Sequence, residues 1–150
     1  MTDSTLSDAR DISRSCIALR IRLANRVITK LYDDALRPFG LRVPQLAMLA
    51  LAAERGVLQQ SEICAQLQLD DSTLSRNLDR MQSNGWLKES LGPDARQHPY
   101  ELTSTGRNLL NRAIPAWEQA QKTASELLGA RGVQTLKSFA ARQGLGGERD

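Results

Sequence analysis

Residues 59–103 constrain the fold of this chain more tightly than any other stretch. Ile63, Cys64 and Leu67 give a short helix over about 60–67, and the turn Gln68-Leu69-Asp70-Asp71 follows at once. Asp70 or Asp71 supplies an N-cap for a second helix, about 72–84, which Asn84-Gly85 closes with residues that tolerate positive φ. The periodicity then changes from helical to strand-like. Residues 86–90 and 100–103 read as two strands around a turn-rich, charged loop, 92–99. Two short helices joined by a tight turn and followed by a hairpin make a winged helix-turn-helix.

The second of these helices is two-faced. Leu74, Leu78 and Met81 point one way and hold it on the domain, while Ser72, Thr73, Ser75, Arg76, Asn77 and Arg80 largely face elsewhere. Hydroxyls, an amide and arginines on one helix face suit the major groove of double-stranded DNA, where base edges present donors and acceptors. A loop on a two-stranded stalk reaches sideways to the adjacent minor groove, whose negative potential attracts arginine. Arg96 is the residue for that position, with Asp94 two residues before it to hold the guanidinium by a charge-assisted hydrogen bond.

Long helices flank this unit. Residues 7–37 read as one helix with two apolar rows, Ile17, Ile21, Ala24, Ile28, Leu31 and Ala35 beside Leu19, Leu23 and Val27. Two rows imply cover by the helix's own core and by another chain. Arg22, Arg26 and Lys30 form a separate basic row, a solvated or intersubunit face. Pro44 fits the first turn of a helix over 44–54 that Gly56 ends. Thr103 or Ser104 caps a helix over about 105–129, in which Leu110, Ala113, Trp117, Ala120, Ala124 and Leu127 keep a heptad-like rhythm. Pro115 is expected to kink it. A last helix spans 132–142, and 143–150 reads as a frayed tail. The fold class is therefore mainly α, about six helices with a two- or three-stranded β-wing. A single domain of 150 residues divides into dimerisation helices at 7–40 and 105–142 and a DNA-binding region at 44–103.

Charge is distributed in a way that matters. The net +3 resolves into +3 for residues 1–58, −2 for 59–107 and +2 for 108–150. DNA binding through the middle must use placed arginines, not a bulk basic field. No apolar run is long enough to span a membrane, and the N-terminus lacks a signal-peptide core, so a cytoplasmic protein, nucleoid-associated when on DNA, is expected. One histidine, His98, two cysteines, and no nucleophile–histidine–acid set, metal-ligand spacing or glycine-rich phosphate loop argue against an enzyme. No catalytic residue, metal site or cofactor is expected.

Three segments then carry a resemblance. LRPFGLRVPQLAMLALA, LDDSTLSRNLDRMQSNGWLKES and the Asp-x-Arg wing GPDARQHPYELTSTGRNLL resemble the multiple-antibiotic-resistance regulator (MarR) family, in order over about residues 12–128. The resemblance implies a homodimeric winged-helix transcription regulator, usually a repressor on a palindromic operator, released by a small aromatic or phenolic effector. It places base or phosphate contacts on Ser72, Thr73, Ser75, Arg76, Asn77 and Arg80, with Arg96 in the wing. Where the family often has threonine before its second and third helices, this chain has Arg42 and Gln59, so weaker capping is expected there. Gln97-His98 stands where a second basic wing residue is frequent.

Arg20 on the first helix and Trp117 near Pro115 are the candidates for holding an acidic effector. Cys16 raises a redox alternative, because some relatives sense oxidation through a first-helix cysteine activated by tyrosines. Tyr32 matches one such tyrosine, but the reactive position then falls on Ala18, about 200° around the helix from Cys16, and the other tyrosine on Val43. A winged-helix interaction protein that no longer binds DNA is the third reading, supported by the acidic balance of residues 59–107.

Overall fold

The computed structural model describes residues 3–92 and 98–144. Its elements are α1 (Asp3–Ser15), α2 (Ile17–Leu36), α3 (Val43–Arg55), β1 (Val57–Leu58), α4 (Gln60–Leu67), α5 (Asp71–Ser83), β2 (Leu87–Glu89), β3 (Tyr100–Leu102) and α6 (Ser104–Arg142). A single turn of 3-10 helix, Arg37–Phe39, links α2 to α3. The fold is mainly helical, with a small antiparallel sheet in the order β1-β3-β2. Leu36, Met48, Leu49, Leu58, Ile63, Leu74, Met81 and Leu87 are buried in one core that ties α3, α4, α5 and the sheet to the lower end of α2. Each such side chain contributes about 1.5–3 kcal/mol by leaving water.

The first expected helix is two. The chain breaks at Cys16, whose ψ of 115° is extended, so α1 and α2 are separate segments. The Ser13-Arg14-Ser15-Cys16 run explains the break: short polar side chains compete for the backbone, and Ser13 Oγ donates to the Arg10 carbonyl at 2.9 Å. A second difference concerns Pro115. The backbone stays helical through it, and the one non-helical residue inside α6 is Gly129, at φ 69° and ψ 162°. Asn111 and Pro115 are both exposed, so the carbonyl that the ring cannot serve lies on the solvent side of α6, where a proline is tolerated. Gly129 adopts the positive φ that glycine alone takes without strain, and it separates the two helical stretches expected at 105–129 and 132–142.

Of the two or three strands expected, the sheet has three. Val57 and Leu58 pair with Glu101 and Tyr100, while Leu87, Lys88 and Glu89 pair with Leu102, Glu101 and Tyr100. The helix starts at Arg42 and Gln59 are capped after all. Gln45 Oε1 accepts from the Arg42 N–H and Glu62 Oε2 from the Gln59 N–H, each at 2.9 Å. These are the reaching-back halves of a capping box, which work without a threonine at the cap. Asp33 adds a further cap, accepting from the Val43 N–H at 3.0 Å.

Candidate nucleic-acid interface

α4 and α5 are set by a turn in which Gln68 takes a left-handed φ of 50° and its own Nε2 donates to the Ala65 carbonyl at 2.8 Å. Asp70 then opens α5. Its Oδ1 accepts from the Thr73 N–H and the Ser72 hydroxyl, both at 2.7 Å, and its Oδ2 from the Thr73 hydroxyl at 2.8 Å. The Ser72 and Thr73 protons are thereby engaged. Toward a ligand, those two hydroxyls present lone pairs and act as acceptors.

The same bonds hold the Asp70 carboxyl down at about 2, Ser72 contributing most and Thr73 next. A depressed folded-state value stabilises the fold above the unfolded value of about 3.9 and loses that contribution as pH falls through about 2. The Tm gap between the wild type and Asp70→Ala is therefore expected to be widest above pH 5 and to close toward pH 2. Thermal melts over that range check this, and a gap independent of pH would contradict it.

On the outer face, Ser75, Arg76 and Arg80 are exposed while Leu74, Leu78 and Met81 lie buried beneath. Arg76 Nε donates to the Ser72 carbonyl at 3.3 Å, which aligns the side chain along the helix and leaves the outer guanidinium nitrogens free. Arg80 has no ion pair among the described residues. Asn77 behaves differently. Its Nδ2 donates to the Thr73 carbonyl at 2.9 Å and its Oδ1 accepts from Gln45 Nε2 at 3.1 Å. Gln45, only 3% exposed, thus spans the start of α3 and the middle of α5. Asn77 serves as a clamp here, although its sequence position groups it with the DNA-facing residues.

Asn77→Ala strands the buried Gln45 amide and is expected to cost about 1–3 kcal/mol of stability. Urea unfolding reads this directly, and a cost under about 0.5 kcal/mol would return Asn77 to the reading face.

The wing is anchored at its base. Ser90 N–H donates to the Pro99 carbonyl at 2.8 Å, Lys88 pairs with Glu101 at 3.2 Å, and His98 Nδ1 meets the Glu89 carboxylate across the hairpin. Asp94 and Arg96 lie outside the described residues. At the far end of the sheet, Thr103 Oγ1 accepts from the Gly106 N–H at 3.0 Å and donates to the Gly85 carbonyl at 2.5 Å, joining the close of α5 to the start of α6.

The remaining sequence candidates are dispersed. Arg20 is exposed in the first turn of α2, and Trp117 is 38% exposed on α6. Cys16 is half-buried at the α1–α2 break. Tyr32, four turns and about 24 Å along α2 from Cys16, donates its hydroxyl to Gln121 of α6. The structure thus does not bring cysteine and tyrosine together. Cys64 is half-buried with Sγ 3.7 Å from Asp71 Oδ1, and burial followed by that carboxylate pushes its thiol up, away from the reactive thiolate. Among the described residues no group of His, Cys, Asp and Glu is arranged to hold a metal ion, and no helix is long and apolar enough to cross a membrane. The bridging role of Gln45 is not legible in the sequence, since it acts through Asn77, 32 residues away.

A reading helix seated by its apolar face, beside a three-stranded sheet that carries a wing, defines a winged-helix protein. Comparison with known proteins agrees. The sequence profile of the MarR family matches residues 39–97. The chain is 32% identical over 84 residues to an uncharacterized HTH-type transcriptional regulator, YwoH, of Bacillus subtilis, a match over 56% of this chain and 61% of that protein. The chain thus spans about three fifths of that curated relative's length. Among solved structures, the transcriptional regulator MOSR of M. tuberculosis in complex with DNA superposes with a TM-score of 0.72 at 32% identity, over 86% of this chain and 94% of that one. A variant of MarR from E. coli complexed with operator DNA gives 0.77 at 22% identity, over 88% and 96%, which speaks for the fold. The chain belongs to the MarR family of winged-helix transcriptional regulators.

Proposed function

We propose that this protein is a homodimeric, sequence-specific DNA-binding regulator, a ligand-responsive repressor that reads a palindromic operator. The observation that carries the reading is the outer face of α5. It offers two oriented hydroxyl acceptors, Ser75 and two arginines on a helix held rigidly by Asp70 and by three buried apolar side chains. Relatives described as transcriptional regulators, one of them solved in complex with DNA, support the same assignment. The dimer rests on unused apolar surface. Ile17, Ile21, Leu23 and Val27 on α2, with Leu127, Leu136 and Phe139 on α6, are all at least half exposed in the single chain. Apolar rows of that extent along two helices mark an association surface. Two copies related by a two-fold axis would present two α5 helices to half-sites about one DNA turn apart.

Arg96 is assigned to the minor groove and Asp94 to holding it, on the sequence pattern and on the wing base formed by β2 and β3. An aromatic or phenolic acid that binds between the dimerisation helices and the reading helix and releases the DNA, with Arg20 and Trp117 as its contacts, is the effector reading. Arg96→Ala is expected to weaken operator binding by about 5- to 30-fold and to make the salt dependence shallower by about one charge. Fluorescence anisotropy with a labelled palindrome across a range of salt tests both. Unchanged affinity and slope would remove the wing from the interface.

A further inference from the structure

A groove of about 810 Å³ opens between the C-terminal half of α2, the turn into α3 and the last turn of α5. It differs from an aromatic-ligand pocket in its lining. Leu41 is its only large apolar residue, and five cations, Arg26, Lys30, Arg37, Arg42 and Arg80, line it. Its two carboxylates are already engaged. Asp34 pairs with both Lys30, at 2.5 Å, and Arg37, which hold its carboxyl below the usual range, while Asp33 accepts from the Val43 N–H. Arg26, Arg42 and Arg80 come from three different elements and have no ion pair among the described residues.

We propose that this groove binds a small, hydrophilic polyanion, a phosphorylated or polycarboxylate molecule bearing at least two negative charges. Three arginines lining one groove, from α2, from the link before α3 and from α5, suit bidentate recognition of phosphate or carboxylate oxygens. Asn25 and Thr29 extend the groove up α2, and from Asn25 to Arg37 is about 18 Å of helix. That length accommodates a molecule whose anionic groups are several ångströms apart. Arg80 gives occupancy a consequence. Resting on the reading of α5 as the DNA-contacting helix, a polyanion that draws in Arg80 competes with DNA for the same guanidinium. Neither Arg20 nor Trp117 lines this groove, so it is separate from the aromatic-effector candidates.

Isothermal titration of the full-length protein with inorganic tripolyphosphate and with citrate, at matched ionic strength, tests the site without DNA. Saturable binding is expected, weakened about tenfold or more by Arg26→Ala or Arg42→Ala, and the tighter of the two probes names the anion chemistry. Equal binding by the wild type and the Arg26→Ala/Arg42→Ala double variant would overturn the proposal. A second arm asks about coupling. Tripolyphosphate should release DNA from the wild type beyond the effect of NaCl at equal ionic strength, and Arg26→Ala should keep its DNA affinity yet resist that release. Weaker DNA binding by both single variants, with a shallower salt slope, would instead give the groove to the DNA backbone. A protein that binds tripolyphosphate but no DNA would keep the site and fail the regulator reading.

Discussion

The Arg76→Ala/Arg80→Ala double variant is expected to lose specific DNA affinity by about 100-fold or more while keeping its melting temperature. One arginine fork on a guanine edge is worth about 1–3 kcal/mol, and one on a phosphate contributes through counterion release. The two side chains are one helical turn apart on the exposed face, so their losses combine, with some coupling between neighbours. Neither residue supports the fold. Arg76 makes a single hydrogen bond to its own helix, and Arg80 has no side-chain partner among the described residues. The core beneath them, Leu74, Leu78 and Met81, is untouched. Anisotropy with specific and scrambled duplexes, alongside a thermal melt, separates reading from folding. A loss of less than about threefold would mean that another surface carries the affinity.

Gly106→Ala is expected to act in the opposite way, through the fold. A Cβ at this position would sit 2.1 Å from the Trp86 carbonyl oxygen, 2.9 Å from its carbon and 2.8 Å from Leu102 Cδ1. The first two are backbone atoms and cannot swing aside. Trp86 O is also the acceptor of the Thr103 N–H at 3.1 Å, so the methyl group would pry apart the contact that fixes α6 against the foot of the wing. Overpacking of this kind costs about 3 kcal/mol, or a Tm lower by about 6–12 °C. The wing would be misplaced with it, so DNA binding should fall in parallel. A melt within about 2 °C of the wild type would show that α6 can slide without loss.

The residues that could be read from the sequence act locally. Asp70, the Thr103 cap on Gly106 and the Asn84-Gly85 stop work within three or four residues, and the alternation of Leu74, Leu78 and Met81 against Ser72, Arg76 and Arg80 is a property of one helix. Features that join distant segments were not legible. β1 is only Val57 and Leu58, and it is a strand because β3 lies beside it. Gln45 looks like one more polar residue until its amide is seen to bridge Arg42 and Asn77, 32 residues apart from it at the far end. The same holds for the groove, since Arg26, Arg42 and Arg80 share nothing in the sequence. The break at Gly129 falls between the two helices expected there, whereas the break at Cys16 is not expected. Pro115 is the stronger breaker by propensity, yet an exposed site tolerates it, whereas the chain yields at Cys16, just after Ser13, whose hydroxyl donates to the Arg10 carbonyl.

The central claim, that α5 and the wing read DNA as a two-fold pair, is tested most directly by anisotropy on the DNA flanking this protein's own gene, titrated from low to high salt. The account predicts saturation at two chains per site and a fall of log affinity with log salt of about −2.7 or steeper, as three or more neutralised phosphates require. Binding that is salt-independent, or equal on that DNA and on a scrambled duplex, would contradict it.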